Sequence, residues 1–365
     1  MISNKNKKCI AFICSSLDMM AGGIERQILR TCESLILKKY NVILITYDNE
    51  KAVSFYKVPD NLSWYKCGAS LIPHSSAPLY KRLKQIYNLR RLLVKYKVTH
   101  VVTFHHGLFP RSVLASPFLN IKLIVSERNS LNHYKFIKLK KYNIGFLSMF
   151  FAHHITVQLK NYKNEYPKLL QNKIEVIPNF IEKPIAKNIS PDLDKNIISM
   201  VGRLAYQKNF KLLLSQALKN YKNYKFKIRI AGEGELRSNF QDSYKELIDK
   251  SFLELCGNVE DIDSFLFKSC LLCFPSLWEG YPNTLIEALR VGLPIVTTNR
   301  MIGLSEFVEH NVNGIIVEDN DLFISTVRLM QDKELLSKMS KQSKKKYLKL
   351  SKEDPLLKWE KIFKK

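Results

Sequence analysis

Hydrophobic positions along this chain form short continuous runs that alternate with longer segments of helical spacing. The run Cys9–Cys14 is followed by a helical stretch over Ile24–Lys38 and then by a second run over Asn41–Tyr47. Residues 98–104 and 121–126 continue the series. Short apolar runs separated by helices are typical of βαβ units, whose parallel strands are buried on both faces. The pattern therefore predicts a mostly parallel sheet.

The pattern is interrupted at Val176–Asn196, a polar stretch that contains three prolines and predicts a linker between domains. A second alternation of strands and helices follows, with strands expected over 197–203, 226–232, 252–257, 270–276 and 294–298. The interruption separates two regions that each have the pattern of a parallel sheet flanked by helices.

The fold class predicted is α/β, with two Rossmann-like domains that face each other across a cleft. Residues 1–178 form the first domain and residues 179–354 the second, and a last amphipathic helix over 355–365 is expected to pack back on the first domain. Ligands of open parallel sheets bind beyond the carboxyl ends of the strands, so the chemistry is expected in the loops at those ends.

Composition narrows the class of protein. Hydrophobic residues make up 46% and charged residues 25%, as in globular proteins, and no apolar run approaches the ~20 residues of a membrane span. Lysines precede the first apolar run, as in a signal peptide, but no small-residue cleavage site follows, so a cytoplasmic protein is expected.

The cysteines and histidines do not predict a metal centre. Cys270 and Cys273 form one CxxC in an apolar run without a second pair, so buried reduced thiols are expected instead of a zinc site. The histidine pairs 105–106 and 153–154 show no metal-ligand spacing with a carboxylate partner.

The net charge of +25 is distributed unevenly. Residues 1–178 carry 28 Lys and Arg against nine Asp and Glu, whereas residues 179–365 carry 30 against 24. A domain this basic predicts an anionic partner, either a membrane surface or nucleic acid.

Three loops that follow predicted strands have the composition of phosphate-binding turns. Gly22 and Gly23 open a helix whose amides suit a phosphate, although a turn without a ligand fits equally well. Gly202 ends a strand, and the cations Arg203 and Lys208 behind it suit a diphosphate or form a solvated loop. The turn Gly232–Gly234, which contains Glu233, is similar to the GxG turn of a nucleotide-binding half-domain.

Two glutamates, Glu279 and Glu287, flank the start of a further helix. Asn283 is expected to be the N-cap and Gly292 to end the helix. A diphosphate fits the helix N-terminus, Glu287 suits ribose hydroxyls, and Glu279 suits the hydroxyls of a sugar. The alternative is a structural loop with an ordinary first-turn glutamate.

The segment EGYPNTLIEALRVGLPIV resembles the E-x7-E signature of the family 4 retaining glycosyltransferases, which have the GT-B fold. Other segments occur in family order and support the resemblance: GGIER, VIPNF, VGRLAYQKN, AGEGEL, LCGNVEDI and LSEFVEHNVNGIIVED. The match covers the second domain almost end to end and is thinner in the first.

The resemblance implies a UDP-sugar donor bound by the second domain, with no metal and no other cofactor. Arg203 and Lys208 would hold the diphosphate, Glu287 the ribose and Glu279 the donor sugar. The resemblance also implies that the backbone of Gly280, Tyr281 and Pro282 contacts the donor sugar, that the backbone amides of Asn283, Thr284 and Leu285 face the phosphates, and that Gly23 lies near them. Gly22, Gly202 and Glu233 remain donor-binding candidates from the composition of their turns.

One segment departs from the common family pattern, in which a histidine follows the fourth or fifth strand of the first domain. Here the fifth strand ends in SERN, with Glu127 and Arg128, while His105 and His106 end the preceding strand. The SERN form resembles a bacterial subgroup that builds lipid-linked oligosaccharides, including N-acetylgalactosamine transferases. Arg128 is assigned to a donor or acceptor phosphate, and the role of His106 stays open.

Two basic stretches of the first domain, Leu79–Lys97 and Asn132–His154, mix cations with aromatic and aliphatic side chains. They suit the surface of an anionic membrane, although a core-facing helix with a solvated basic face has the same pattern. Peripheral binding to the inner leaflet is expected, with a polyprenyl-diphosphate glycan or the lipopolysaccharide core as acceptor.

The function predicted is a retaining, metal-independent glycosyltransferase that moves a hexose or N-acetylhexosamine from a UDP-sugar to a lipid-linked glycan. Such a glycan would belong to O-antigen, capsule, lipopolysaccharide or glycoprotein-glycan assembly. A UDP-N-acetylglucosamine 2-epimerase of the same fold, a nucleic-acid-binding protein and a non-transferring relative are the alternatives. The absence of a recognisable nucleic-acid-reading module disfavours the second of these.

Overall fold

The computed structural model describes residues 8–20, 22–68, 78–134, 143–185 and 190–364. The chain forms two compact units, one made of Met1–Phe180 with Asp354–Lys365 and the other of Ile181–Glu353. Each unit has a parallel sheet of its own, and the predicted α/β class is confirmed.

Unit 1 has a seven-stranded sheet in the order β3-β2-β1-β4-β5-β6-β7. Its strands are β1 Cys9–Cys14, β2 Asn41–Thr46, β3 Ser63–Lys66, β4 His100–Phe104, β5 Lys122–Ser126, β6 His154–Val157 and β7 Ile174–Val176. Its described helices are α1 Gly23–Leu37, α2 Leu79–Lys95, α3 Phe109–Ala115, α4 Ile144–Ser148 and α5 Lys168–Gln171.

Unit 2 has a six-stranded sheet in the order β10-β9-β8-β11-β12-β13. Its strands are β8 Ile197–Val201, β9 Lys227–Ala231, β10 Leu253–Gly257, β11 Leu271–Phe274, β12 Ile295–Thr298 and β13 Gly314–Val317. Its helices are α6 Phe210–Asn220, α7 Arg237–Ser243, α8 Lys245–Asp249, α9 Ile262–Phe267, α10 Asn283–Val291, α11 Leu322–Gln331 and α12 Lys333–Leu350.

The last helix, α13 Pro355–Lys364, packs on unit 1. Trp359 lies edge-on against Phe12 of β1, with ring centroids 6.0 Å apart, and stacks on Phe363. All three side chains are buried in one core with β1, β2 and α1. Burying large aromatic rings stabilises this attachment, because each removes a large apolar area from water.

Four strands were not predicted from the sequence, namely β3, β6, β7 and β13. All four have only three or four residues, and β3, β7 and β13 lie at the edges of their sheets or keep mostly half-exposed side chains. Strands this short carry too few residues for the alternation of polar and apolar positions to be recognised.

The second basic stretch, Asn132–His154, lies partly outside the described residues. Within the described part, Phe146 and Met149 are buried in unit 1, whereas Ile144 and Phe151 are exposed. Part of its apolar content therefore belongs to the core. None of the helices in the described residues is both long and apolar enough to cross a membrane.

Candidate functional site

Strand order determines where loops converge in unit 2. β8 lies between β9 and β11, and all three are parallel, so the chain turns in opposite directions on either side of β8. Ligands of open sheets bind at such a switch point, beyond the carboxyl ends of the strands. The loops after β8, residues 202–208, and after β11, residues 275–282, meet at this point.

Four contacts tie these two loops together. Lys208 Nζ lies 2.7 Å from Glu279 Oε1, with only 14% and 9% of the two side chains exposed. Gln207 Nε2 donates to the Trp278 carbonyl oxygen at 2.8 Å and to Glu279 Oε2 at 3.3 Å. The Leu277 amide donates to the Gln207 carbonyl oxygen at 2.9 Å. Lys208 and Glu279, which the sequence assigned to diphosphate and sugar, therefore form one ion pair.

Glycines at the strand ends make this close packing possible. Gly202 has φ +142°, and a Cβ there would lie 2.5 Å from Cε of Lys208. Gly232 has φ +139°, and its Cβ would lie 2.1 Å from the Gly202 carbonyl oxygen. L side chains rarely adopt such backbone angles, and the contacts leave no room for a Cβ. The ends of β8 and β9 therefore pack backbone against backbone at this edge, with Lys208 beside them.

Helix α10 begins at the same edge. The structure corrects the predicted cap: Asn283 is the first helical residue, and Pro282 occupies the N-cap position without a side-chain cap. Gly292 ends the helix at φ +87°, as predicted, and its amide donates to the Ala288 carbonyl oxygen. The αL conformation at this position explains the preference for glycine.

Some of the backbone amides at the start of α10 already donate hydrogen bonds. Asn283 N–H donates to the Tyr281 carbonyl oxygen at 2.8 Å, and Leu285 N–H donates to the Pro282 carbonyl oxygen at 3.0 Å. Thr284 Oγ1 lies 3.4 Å from the Val201 carbonyl oxygen, next to the β8 loop. A phosphate bound here would meet the positive end of the helix dipole. Of the three backbone amides expected to face it, those of residues 283–285, two are already hydrogen-bonded within the loop and helix.

The other predicted residues of unit 2 lie around this edge. Glu287 is half-buried on α10, and Gly280 is buried in the loop before it. Tyr281 packs edge-on against Phe307, with centroids 5.5 Å apart. Glu233 lies after β9 and pairs with Arg237 at 2.6 Å, while Arg203 is exposed after β8. The edge combines cations, a helix start and carboxylates that can accept hydroxyl hydrogen bonds.

The switch point of unit 1 lies between β1 and β4. Gly22 is the N-cap of α1 and Gly23 its first residue. A Cβ on Gly22 would lie 2.1 Å from Oε2 of Glu25, so this carboxylate covers the helix start. Glu25 is buried, and burial raises its pKa. A phosphate predicted at Gly22 and Gly23 would have to displace this carboxylate.

A buried network lies at the carboxyl ends of β4 and β5. His106 Nδ1 lies 2.6 Å from Oε2 of Glu127, and the Tyr134 hydroxyl donates to Oε1 of Glu127 at 2.9 Å. His105 Nε2 lies 3.0 Å from the Tyr134 hydroxyl oxygen, and its φ of +84° is unusual for a side-chain-bearing residue. The expectation that the 105–106 pair has no carboxylate partner was wrong, because β4 and β5 are paired neighbours.

The network keeps Glu127 ionised. Burial alone would raise the pKa of Glu127, but the neighbouring imidazoles and the hydrogen bonds from His106 and the Arg128 amide outweigh it. The pKa of this carboxyl group is therefore held well below its usual range. Burial and the adjacent Glu127 charge raise the pKa of Tyr134, which keeps its hydroxyl group a proton donor.

His105, His106 and Glu127 offer ligand atoms within 4.8 Å of one another. Two imidazoles and one carboxylate are a set that binds divalent transition metals. Hydrogen bonds to Glu127 and Tyr134 explain the same short distances without a metal ion. These residues therefore fit a hydrogen-bonded cluster at least as well as a metal centre.

Arg128, which the sequence assigned to a phosphate, is buried inside unit 1. Its guanidinium group donates to Oδ1 of Asn179 and lies 5.1 Å from the Phe104 ring centroid. Gln158 donates to the same Asn179 oxygen at 3.1 Å. These contacts position the end of unit 1 before the chain enters unit 2.

Sequence reasoning missed two residues of these edges, Gln207 and Tyr134. Gln207 lies between the predicted Arg203 and Lys208, and its side chain joins the two loops of unit 2. The signal for a link between His106 and Glu127 was present, because each follows a predicted strand and consecutive strands of a parallel sheet are often neighbours.

Two family models match the chain in tandem. The model for Glycosyltransferase Family 4 matches residues 21–183, and the model for Glycosyl transferases group 1 matches residues 182–346. Together they extend over both units.

Three curated relatives align with most of the chain. An uncharacterised glycosyltransferase of Haemophilus influenzae is 29% identical over 83% of this chain and 84% of its own length. A Campylobacter jejuni N-acetyl-D-galactosaminyltransferase, named for a GalNAc-containing glycan on PP-undecaprenol, is 26% identical over 86% and 85%. An Escherichia coli UDP-Gal:alpha-D-GlcNAc-diphosphoundecaprenol galactosyltransferase is 26% identical over 90% and 89%.

Among solved structures, a single-substitution mutant of S. aureus TarM in complex with fondaparinux, alpha-GlcNAc-glycerol and UDP has a TM-score of 0.79 to this chain. The two proteins are 15% identical, and the match covers 98% of this chain and 100% of the other. At this identity the likeness concerns the fold, and it confirms the GT-B fold expected from the sequence.

Proposed function

The chain belongs to the group 1 and family 4 glycosyltransferases, and from this premise we propose that it transfers a hexose or N-acetylhexosamine from a UDP-sugar to a lipid-linked glycan. We propose further that the transfer retains the anomeric configuration and needs no metal. The acceptor would be a polyprenyl-diphosphate glycan or the lipopolysaccharide core, in O-antigen, capsule, lipopolysaccharide or glycoprotein-glycan assembly.

The observation that carries the proposal is the junction of the two loops at the carboxyl edge of unit 2. Lys208 and Glu279 lie 2.7 Å apart beside the start of α10, and Arg203 extends from the same β8 loop. A bound diphosphate would offer Lys208 a second anionic partner, with Arg203 adding a further cation. Cations and a helix N-terminus can stabilise a leaving diphosphate without a metal ion.

The carboxylates of unit 2 would hold the neutral parts of the donor. Glu287, one turn into α10, would accept hydrogen bonds from ribose hydroxyls, as acidic residues do in dinucleotide folds. Glu279, together with Gly280, Tyr281 and Pro282, would contact the donor sugar. Glu233 and Gly202 would border the nucleotide from the ends of β9 and β8.

The proposed chemistry exchanges one bond at the anomeric carbon for another on the same face of the sugar. The bond from this carbon to the diphosphate oxygen breaks, and a bond to an acceptor hydroxyl oxygen forms. The hydroxyl proton passes to the leaving diphosphate, whose negative charge Arg203 and Lys208 balance. Stabilising this developing charge is the main contribution expected from the protein.

The lipid-linked acceptor is supported by the names of relatives. The C. jejuni and E. coli proteins are both named for undecaprenol-linked glycans. Residues 1–178, with their excess of cations, would meet the inner face of the cytoplasmic membrane and the acceptor's phosphates. Arg128, buried against Asn179, would act on such phosphates only through a change in that contact.

A screen of UDP-, GDP- and ADP-sugars tests the proposal. We expect one UDP-sugar to raise the melting temperature and to be slowly hydrolysed, and its sugar to appear on an undecaprenyl-diphosphate glycan when one is added. Epimer formation from UDP-N-acetylglucosamine without acceptor would instead support a 2-epimerase, and stabilisation by no nucleotide sugar would contradict both.

A further inference from the structure

The two loops that meet in unit 2 also carry a pair of aromatic side chains. Tyr206 lies on the loop after β8, two positions before Lys208, and Trp278 lies on the loop after β11, directly before Glu279. Their ring centroids are 6.0 Å apart, and the ring planes are inclined at 50°. The aromatic pair therefore lies beside the ion pair on which the proposed function depends.

Tyr206 is exposed although it is a large aromatic residue. Solvent reaches 72% of its surface, and every other aromatic residue among the described residues of unit 2 is buried or half-buried. A single exposed aromatic residue is not unusual in itself. An exposed ring that packs against a second ring, at the edge where ligands of such a sheet bind, indicates a binding surface.

Hydrogen bonds hold the two loops that carry the rings. The Asn209 amide donates to the Tyr206 carbonyl oxygen at 3.1 Å, and Asn209 closes this turn in the left-handed conformation at φ +51°. The Trp278 carbonyl oxygen accepts from Gln207 Nε2 at 2.8 Å. Because both loops are already ordered, a ligand bound to the rings requires little further ordering of the protein.

The aromatic pair lies on the side of the edge towards β12 and β13. Arg300 follows β12 and pairs with Asp319, which follows β13. Asp319 raises the pKa of Arg300, and the Tyr206 hydroxyl contributes in the same direction, so it lies within electrostatic reach of this guanidinium group. Glu233, which is proposed to border the nucleotide, follows β9 on the opposite side of β8. The aromatic pair is thus displaced from the expected position of the nucleotide.

An aromatic face with polar groups beside it has the chemistry that a pyranose ring requires. One face of such a ring presents several C–H groups, whose partial positive charge is attracted to the negative face of an aromatic ring. The hydroxyl groups at its rim donate and accept hydrogen bonds. Arg300 and Asp319 supply a donor and an acceptor, with 51% and 29% of their side chains exposed.

The sugar that fits this surface is the acceptor's. The donor sugar is assigned to Glu279 and Gly280, which are both buried, whereas Tyr206 is open to the solvent from which the acceptor arrives. An acceptor hydroxyl must come to about 3–3.5 Å from the anomeric carbon before the bonds exchange. The sugar that carries this hydroxyl must therefore lie next to the donor sugar, within reach of the rings beside Glu279.

We propose that Tyr206 and Trp278 form a stacking surface for the terminal sugar of the acceptor glycan, with Arg300 and Asp319 as partners for its hydroxyl groups. The inference rests on the proposed glycosyl transfer and identifies where unit 2 contacts the acceptor. The uracil ring and the donor sugar are the competing occupants, because a base also stacks on aromatic side chains.

Saturation-transfer NMR with methyl glycosides tests the stacking surface. The probes are the methyl glycosides of glucose, galactose, N-acetylglucosamine and N-acetylgalactosamine, each measured with and without UDP. We expect at least one glycoside to bind, with saturation strongest at the C–H protons of one ring face. Tyr206→Ala should weaken this binding about 10-fold, because a ring contact is lost, whereas Tyr206→Phe keeps the ring and should bind like the unmodified protein.

Phe118→Ala is the matched control. Phe118 is fully exposed, but it lies before β5, at the amino end of a unit 1 strand. Glycoside binding by this variant should equal that of the unmodified protein, and thermal unfolding of each variant controls for folding. The inference would be overturned if no glycoside bound, if Tyr206→Ala bound as tightly as the unmodified protein, or if Phe118→Ala lost as much binding.

Titration with UDP and with UDP-sugars separates the stacking surface from the proposed function. If Tyr206→Ala weakens UDP binding as much as glycoside binding, the ring contacts the nucleotide, so the inference fails and the function stands. A loss of UDP-sugar binding without any loss of glycoside binding would assign the ring to the donor sugar, with the same consequence. If glycoside binding depends on Tyr206 but no form of the protein binds UDP, the proposed function fails and the stacking surface stands.

Discussion

The carboxyl edges of the two sheets both adjoin a switch point in strand order, but they differ in their chemistry. In unit 2 the edge presents cations, a helix start and a lysine–glutamate pair that is 14% and 9% exposed. In unit 1 the corresponding edge contains a buried carboxylate, Glu127, surrounded by two imidazoles and a tyrosine hydroxyl. A carboxylate, Glu25, also covers the start of α1.

This difference shows that sheet topology determines where a ligand can bind, whereas the side chains at the edge determine whether that ligand is an anion or a neutral group. The unit 2 edge suits an anion such as a diphosphate. The unit 1 edge would repel a diphosphate near Glu25 and Glu127 and instead suits hydroxyl groups and shared protons. A division between a donor diphosphate on unit 2 and an acceptor hydroxyl on unit 1 is consistent with both.

The largest effect is expected at the ion pair of unit 2. Glu279→Ala should lower the transfer rate by about 10³-fold or more while UDP binding survives, because a contact to the reacting sugar is lost. Steady-state transfer assays and UDP titration measure the two effects. Glu309→Gln is the matched control, because Glu309 pairs with Lys346 at 2.6 Å but lies outside the carboxyl edge of the unit 2 sheet. The turnover of this variant should stay near that of the unmodified protein.

The close backbone packing of unit 2 predicts the next effect. Gly232→Ala forces a Cβ to 2.1 Å from the Gly202 carbonyl oxygen and should destabilise the protein by about 3 kcal/mol. Gly68→Ala is the control, since Gly68 also has positive φ but no atom within 4 Å of its Cβ position. That variant should lose only about 1 kcal/mol from backbone strain. Urea unfolding compares them, and equal losses would contradict the packing argument.

The buried carboxylate of unit 1 predicts a pH-dependent effect. Glu127 has a depressed pKa in the folded state, so its contribution to stability is present above about pH 4.3, the usual glutamate pKa, and is lost as pH falls. Glu127→Gln should therefore destabilise by roughly 2 kcal/mol at pH 7 and by progressively less in acid. Urea unfolding between pH 7 and pH 3 measures the trend.

Glu165 serves as the opposite control in the same pH-dependent unfolding experiment, because its pKa is raised in the folded state. Burial raises its pKa despite the hydrogen bonds from Ser130 and the Asn132 amide. Its protonated form is therefore favoured on folding, and its effect on stability improves as pH falls. If Glu127→Gln and Glu165→Gln showed the same pH trend, the assignment of Glu127 as a stabilised anion would be wrong.

The smallest effect is expected for an exposed ion pair on unit 2. Arg300 Nε donates to Asp319 at 2.9 Å, but 51% of the arginine side chain is exposed. Exposed pairs contribute less than about 1 kcal/mol, so Arg300→Ala should change the free energy of unfolding by no more than that. A larger loss in thermal or urea unfolding would contradict the small contribution assigned to this exposed pair.

Most of the sheet architecture could be predicted because the central strands are buried on both faces. Runs such as Cys9–Cys14 and Leu271–Phe274 are continuously apolar, and this signal survives without tertiary information. Edge strands such as β3, with half-exposed side chains, carry no such signal. Strand β3 was consequently missed, although the basic helix α2 that follows it was recognised.

Local sequence motifs were enough to identify the candidate site residues of unit 2, but not the contacts that these residues make with one another. Lys208 and Glu279 were each recognised from their own loops, but their pairing depends on β8 and β11 being neighbours. The N-cap was misplaced by one residue, because Pro282 ends the loop one position before Asn283. In unit 1, Glu25 at the third helical position suggests a capping interaction that competes with the phosphate predicted there.

Calorimetric titration of UDP tests the central claim most directly. The account predicts saturable heat with the unmodified protein and about 100-fold weaker binding for Arg203→Gln/Lys208→Gln, because two charge-assisted contacts to the diphosphate are lost. A folded protein that gives no heat with UDP, or a double variant that binds UDP as tightly as the unmodified chain, would contradict it.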